Sequence, residues 1–307
     1  MKTLGRWVKR RWVQAIGLGL VSALLVFGAF QFGWFDTVEN KTLDWRFRTF
    51  SAQGRASSNI AIIALDDSSF AAPGMIENFG RWPWRRQLYA LLVHYLHECG
   101  AKVIGVDITF VGQDPHQGDD DLFGQAMNEK RDVVLALGMN LSGWYFTDPA
   151  ASRALEKRLE PFAWKVEKKT PLSFITYTGV DLSQDIFVKA SAGLGSVAIQ
   201  PDPDGPTRKL FPIHRFGNQL FPAFSLAIAS KFMGQAPGAV VEAGPTLVTD
   251  SRRVPLDPDG RMLIRWYGGQ HTYPYYSVWK VFNSALAVDL RVSKLWLCAF
   301  SNVGHVT

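Results

Sequence analysis

The sequence predicts an α/β fold: a membrane-length N-terminal helix, then a domain with a βαβ core and added antiparallel strands. Three observations predict it. First, NIAIIALDD and KVIGVDITF are apolar runs of strand length, continuous rather than alternating, as expected of strands buried on both faces of a parallel sheet. Second, Leu88, Leu91, Leu92, Tyr95, Leu96 and Cys99 recur between them at spacings of three and four, one face of a helix that Gly100 ends. Third, residues 12–34 carry no formal charge and are almost wholly apolar.

Composition narrows the class. With 307 residues, 47% hydrophobic and 20% charged, the chain is long enough and apolar enough for a sizeable core. The net charge of +6 suggests a nucleic-acid partner until its distribution is examined. Lys2, Arg6, Lys9, Arg10 and Arg11 all precede the first acid, Asp36; the rest of the chain holds 28 basic against 27 acidic residues. No basic face remains, and nucleic acid is excluded as a partner.

Taken in order, residues 1–35 read as a basic tail and a transmembrane anchor. As a helix, residues 12–34 span roughly 33 Å, enough for a hydrocarbon core. The cations at its start and Trp7, Trp12 and Trp34 at its ends predict a cytoplasmic N-terminus with the bulk of the chain outside the bilayer. A cleaved signal peptide is the competing reading, but the apolar run is long and no clean small-x-small site follows. Residues 36–59 read as a juxtamembrane helix, in which Asp44, Arg46 and Arg48 are solvated or locally paired, and a polar linker. Residues 60–290 form the main domain, and residues 291–307 an atypical C-terminus.

Within that domain, DDDLFGQAMNEK is a helix whose aspartates suit its first turn, with Leu122, Phe123, Ala126 and Met127 facing the core. The strand 133–137 completes a second strand–helix–strand repeat. Residues 140–192 are less regular: ASRALEKRLE reads as an exposed helix and PFAWKVEKKTP as a surface connection. Antiparallel-type elements then follow, with GLGSVAIQ and RKLFPIHRF as strands and FPAFSLAIASKFM as a helix. PTLVTD, RVPL and RMLIRWYGG are further strands, and SVWKVFN is a short helix with Ser277 as its cap.

Motifs of known chemistry are scarce. DPDG occurs at 202–205 and 257–260, but neither copy shows a full calcium loop, so both read as turns. GLG at 193–195 is too short for a dinucleotide fingerprint, and no phosphate loop, HExxH or G-x-S-x-G is present. His94 and His97 lie one turn apart, off the apolar face, and read as a solvated pair rather than metal ligands. Cys99 and Cys298 read as small buried residues in preference to a disulfide. No cofactor is expected.

Asp66, Asp67 and Asp107 fall at or near the carboxyl ends of the first two strands, where ligands sit in parallel sheets. The GRWPWRR loop adds Trp82 and Trp84 as an apolar wall and Arg81, Arg85 and Arg86 as anion contacts. The same WPWRR also reads as core packing plus a helix start. If Asp66 and Asp107 end adjacent strands, they require a compensating cation, which these arginines would supply, or a bound ion.

The order DWRFR, IAIIALDDSSF, GRWPWRR, GAKVIGVDITF, then GLGSVAIQPDPDGPTRKLFPIHRFGNQLFPAFSLAIAS and GRMLIRWYGG, resembles the second CHASE-type sensor family over roughly residues 37–282. The resemblance implies an extracytoplasmic sensory domain of a bacterial inner-membrane receptor that regulates a cytoplasmic adenylate cyclase or kinase. Catalysis is then a property of relatives, not of this chain. Its end, LRVSKLWLCAFSNVGHVT, departs from the family pattern of further membrane helices and an effector, and truncation is the expectation. The partners implied are the lipid bilayer and an unidentified small-molecule or ionic ligand; the oligomeric state is left open, a homodimer among the options. The alternative from another class is a metal-assisted extracytoplasmic hydrolase using the strand-end carboxylates.

Overall fold

The computed structural model describes residues 2–50, 56–72, 75–141, 149–250, 252–269 and 271–289. They form two compact units, one made of the residues up to 56 with 265–269, the other of the remainder. In the first, helix α1 (Lys2–Gln31) is followed by α2 (Asp36–Phe50), with Gly33 at positive φ in the turn between them. The 20 residues Trp12–Gln31 are long and apolar enough to cross a membrane, and none of them is buried. Asp36 and Glu39 in the first turn of α2 and Arg48 in its last follow the helix dipole.

The second unit begins with β1 (Ile62–Ala64), α3 (Asp67–Ala71), α4 (Met75–Phe79) and α5 (Arg86–Glu98). Next come β2 (Ile104–Val106), α6 (Asp119–Lys130) and β3 (Val133–Asn140). β3 is the centre of the domain. β2 runs parallel to it on one edge, with Ile104 opposite Val133. The predicted second strand–helix–strand repeat is therefore β2, α6 and β3. The continuous run VVLAL explains why this strand is central, since residues 133–137 are all at most 1% exposed.

After α7 (Pro149–Leu159), the stretch read as a surface connection contains a strand, β4 (Lys165–Lys168). Short strands β5 (Ile175–Tyr177) and β6 (Gly179–Asp181), helix α8 (Asp185–Ala190) and strand β7 (Gly193–Ser196) follow. β7 is parallel to β3, with Leu194 opposite Leu135, and this corrects the expectation that the antiparallel region begins there. β6 takes the far half of β3 in antiparallel pairing.

The remaining elements are β8 (Lys209–Leu210), β9 (Ile213–Phe216), β10 (Gln219–Pro222), α9 (Phe224–Phe232), β11 (Gly238–Glu242), β12 (Thr246–Thr249), β13 (Arg252–Pro255), β14 (Met262–Leu263), β15 (Tyr275–Ser277) and α10 (Val278–Asp289). A four-stranded sheet in the order β13-β12-β11-β4 is antiparallel except for its last pair. β4 joins it because Val166 can pack beside Trp164, Val241 and Leu247 in a second, smaller core.

The two faces of the central sheet differ in side-chain size, and that difference builds the layers. Val133, Leu135 and Leu137 join Ile104 and Leu194 in the main core with α5 and α6. There Tyr89, Phe110, Phe123 and Phe187 pack with ring centroids 4.9 to 5.8 Å apart. Gly105, opposite Val134, and Gly195, opposite Ala136, share the other face, and helix α9 lies directly on them. A Cβ on Gly195 would stand 2.5 Å from the Phe224 Cα, and one on Gly105 2.4 Å from Ile228. The glycines of GLG thus serve helix–sheet contact.

Three other expectations change. Leu122 is 44% exposed, because α6 turns Phe123, Ala126 and Met127 inward and leaves Leu122 on its solvent side. The most buried residues of α5 are Tyr89, Ala90, Val93, Tyr95 and His97, while Leu88, Leu91, Leu92 and Leu96 are half-buried. The helix is packed on α6 and α10 as well as on the sheet, so its buried surface is broader than one stripe. Finally, β1 pairs with β15, not β2, so the first two sequence strands are not ladder neighbours among the described residues. Cys99 is a free, half-buried thiol; Cys298 lies outside the described residues, as does the segment 291–307.

The close approach at Gly195 makes a sharp expectation. Gly195→Ala should lower unfolding stability by about 1–3 kcal/mol through overpacking. Gly193→Ala, two residues away with nothing within 4 Å of its added methyl, should stay within about 0.5 kcal/mol. Urea unfolding of the detergent-solubilised chain measures both; equal losses would contradict the packing.

Candidate functional site

Asp66 follows β1 and caps α3. Its side chain accepts from the Ser69 backbone N–H at 3.0 Å, and the Ser69 hydroxyl faces back to the Asp66 N–H, a reciprocal capping box. The same carboxylate oxygen, Oδ1, accepts from the hydroxyls of Ser68 at 2.7 Å, Ser69 at 2.8 Å and Ser277 at 2.6 Å. Ser277 is the last residue of β15, directly before α10, and its hydroxyl donates to Asp66. Asp66 therefore fastens β1, α3 and β15 at one point. Burial alone would raise its pKa, but the hydroxyls of Ser277, Ser68 and Ser69 and the Ser69 N–H together hold it well below the usual carboxylate range. Its second oxygen, Oδ2, is 3.5 Å from the Tyr275 hydroxyl.

The GRWPWRR loop meets this corner through Phe70 of α3. Trp84 stacks on Phe70 with centroids 5.8 Å apart, and Trp82 meets both rings edge-on. The two tryptophans divide their duties. Trp84 is buried against Phe282 of α10 and donates its indole N–H to the Gly80 carbonyl, whereas Trp82 is 44% exposed. The Trp82–Pro83 peptide between them is cis. Arg81, next to Trp82 in the chain, and Asp67 at the start of α3 are exposed.

The arginines do not compensate Asp66 or Asp107. Arg85 forms a two-pronged pair with Asp119, Nε to Oδ2 at 2.9 Å and a terminal nitrogen to Oδ1 at 3.1 Å. The Arg86 backbone N–H donates to Asp114 at 2.7 Å, its guanidinium to the Gly112 carbonyl, and Asp120 stands 3.7 Å away. The DDD start of α6 thus anchors the tryptophan loop, a role beyond capping; the cap residue itself is Gly118, in a left-handed conformation. Asp107 is exposed after β2. Among the described residues β1 and β2 are not paired, so the expectation that Asp66 and Asp107 end adjacent paired strands is not met.

Sequence reading missed two features. Asp114, His116 and Asp119 bring ligand-type atoms within 4.8 Å of one another, yet each carboxylate already holds protein donors: Arg85 on Asp119, His116 and the Arg86 N–H on Asp114. His97 is not solvated with His94: it is buried, and its Nε2 meets Asp132 at 2.9 Å, joining α5 to the start of β3. His94 is exposed, 3.3 Å from Glu129. Both DPDG stretches are turns, each closed by a backbone bond from Gly to the first Asp. Buried Arg208 spans Asp202 and Asp204, while Lys209 and Arg261 hold Asp257.

Two open cavities lie away from Asp66. One of about 1050 Å³ is lined by Lys168, Lys169, Phe174, Phe211 and Pro258 among others, and one of about 910 Å³ lies along Lys165, Gln235 and Asp250. The chain is thus an α/β domain with a parallel core, helices on both faces and an apolar helix ahead of it in the sequence. A family model for the CHASE2 domain matches residues 21–301, and the chain belongs to that family, a sensory extracellular domain family of signalling receptors. No curated protein and no solved structure matches the chain.

Near the larger cavity, β9 carries a buried histidine. His214 is 1% exposed, 5.3 Å from the Tyr177 ring; burial pushes its pKa down to about 4, opposed by its bond to the Phe211 backbone. The unfolded chain binds a proton near pH 6.5 that the folded chain refuses until about pH 4. Stability is therefore full above pH 6.5 and is lost as the pH falls through this window, by on the order of 2–3 kcal/mol. In unfolding titrations from pH 7 to 4, His214→Gln should lack this part of the slope; an unchanged slope would contradict it.

Proposed function

We propose that the chain is the sensory module of a bacterial receptor anchored in the inner membrane, with its N-terminus cytoplasmic and its main domain extracytoplasmic. The CHASE2 family, the apolar helix Trp12–Gln31 and the five cations before it support this reading. The output is a cytoplasmic cyclase or kinase, and its catalysis belongs to that module rather than to these residues. The exposed rim of Asp67, Arg81 and Trp82 at the Phe70 corner is the surface that receives a small or ionic ligand. Asp66, Trp84 and Arg85 hold the rim in place from beneath.

The observation that carries the proposal is the parallel pairing of β1 with β15, Ile62 opposite Tyr275 and Ala64 opposite Ser277, locked by Asp66. β1 is the first strand after the apolar helix, and β15 runs straight into α10. A ligand that shifts α3 or the tryptophan loop moves both strands together, so the signal reaches both ends of the domain without passing through the rigid β3 core.

Topology tests the anchoring directly. An alkaline phosphatase fused after Asn40 should be active in intact bacteria, while a cytoplasmic reporter at the same point should be silent. The opposite pattern would overturn the orientation and with it the extracytoplasmic reading.

A further inference from the structure

Helix α2 has two unlike faces. Asn40, Leu43, Asp44 and Phe47, at i, i+3, i+4 and i+7, form a half-buried side. On the opposite side Val38 and Trp45 are each 60% exposed, and Thr42 and Thr49, also exposed, continue the same line along the helix. The Phe50 ring, 53% exposed, meets Trp45 edge-on with centroids 5.9 Å apart and extends the apolar surface. At about 100° per residue, Lys41, Arg46 and Arg48 border this side together with Glu39, while Asp36 and Asp44 turn away from it. Apolar residues in the middle with cations along the edges are the pattern of a helix lying in a membrane surface.

Position in the chain names the surface that covers this side. Residues 32–35 alone separate α2 from the apolar helix that ends at Gln31. That helix closes in a Schellman motif: Gly33 has a φ of 68°, its N–H returns to the Phe30 carbonyl at 3.1 Å, and the Trp34 N–H returns to the Ala29 carbonyl at 3.0 Å. A left-handed residue there breaks the helical path, so α2 is not a straight continuation of α1. Phe32 and Trp34, 82% and 75% exposed, frame the break with the aromatic rings that favour the membrane–water boundary. The amphipathic helix therefore begins at the level of the boundary and is turned off the axis of the span.

We propose that the bilayer itself covers the Val38 and Trp45 side: α2 lies in the interfacial layer of the leaflet from which it emerges. Trp45 and Val38 enter the acyl boundary, and Lys41, Arg46 and Arg48 meet anionic headgroups. This rests on the anchored reading of α1 and deepens it, since the linker into β1 then starts from a helix fixed on the membrane surface and not from one standing free of it.

Depth measurements along α2 test it in the full chain, reconstituted in vesicles of phosphatidylethanolamine and phosphatidylglycerol that carry doxyl-labelled lipids. An environment-sensitive fluorescent amino acid replaces Leu24, Asn40, Thr42 or Thr49, one at a time, which leaves both cysteines in place. A helix lying in the surface keeps Thr42 and Thr49 at one depth, so doxyl near the headgroup should quench both to within about twofold of each other, whereas an upright helix sets Thr49 roughly 10 Å further out. Both should be quenched more than Asn40 on the other side. Val38→Ser combined with Trp45→Ser should cut the quenching at Thr49 severalfold. Leu24, in the middle of the apolar helix, reads the anchor separately. Quenching at Leu24 by deep doxyl with none at Thr49 overturns the lying helix and leaves the anchor standing; no quenching at either position overturns both. A Thr49 probe shielded from an aqueous quencher yet untouched by lipid-borne doxyl, as in a contact with a second copy, also overturns the proposal, as does quenching that survives the double serine change.

Discussion

The structure depends on one constraint: β3 must be paired on both edges and covered on both faces. Its first half lies between β2 and β7, and its second half pairs with β6. Its large residues, Val133, Leu135 and Leu137, set the face that takes α5 and α6. Its small face, shared with Gly105 and Gly195, admits α9 at backbone contact. A strand used in this way has little freedom to move, because every shift would open a void on one face or a clash on the other. Movement within the domain is therefore easier at the periphery.

At the periphery, Asp66 ties three elements together. Just after β1, a single carboxylate oxygen collects three hydroxyls and a backbone N–H from α3 and β15. Hydrogen bonds to a charged acceptor are roughly twice as strong as neutral ones. The cluster is only part-buried and adjoins an exposed tryptophan, so it is both firm and accessible from solvent. Arg85 and Asp119 keep the tryptophan loop against it from the other side.

Much of this was legible along the chain and some was not. The β2–α6–β3 repeat was legible because a continuous apolar run and a helical period are local signals, and both DPDG turns followed from turn chemistry. The pairing of β1 with β15 was not: the partners lie more than 200 positions apart, and nothing in IIA or YYS specifies the other. Nor was the fate of the arginines, because Arg85 and Arg86 could answer to any of several carboxylates, and folding brought them Asp119, Asp120 and Asp114 instead of Asp66. His97 read as solvated because its partner, Asp132, arrives from another element. Trp82 and Trp84 were expected as equals, yet the turn between them sends one to the core and one to solvent.

The central claim is that Asp66 physically couples the first strand of the domain to the last. A double-mutant cycle on the full chain, with Asp66→Ala, Ser277→Ala and the pair, measures that coupling by unfolding free energy. The 2.6 Å bond predicts that the two changes are not additive, with an interaction energy of about 1 kcal/mol or more. If the effects add to within about 0.3–0.5 kcal/mol, the two strands are held together by something other than Asp66, and the coupling route proposed here is contradicted.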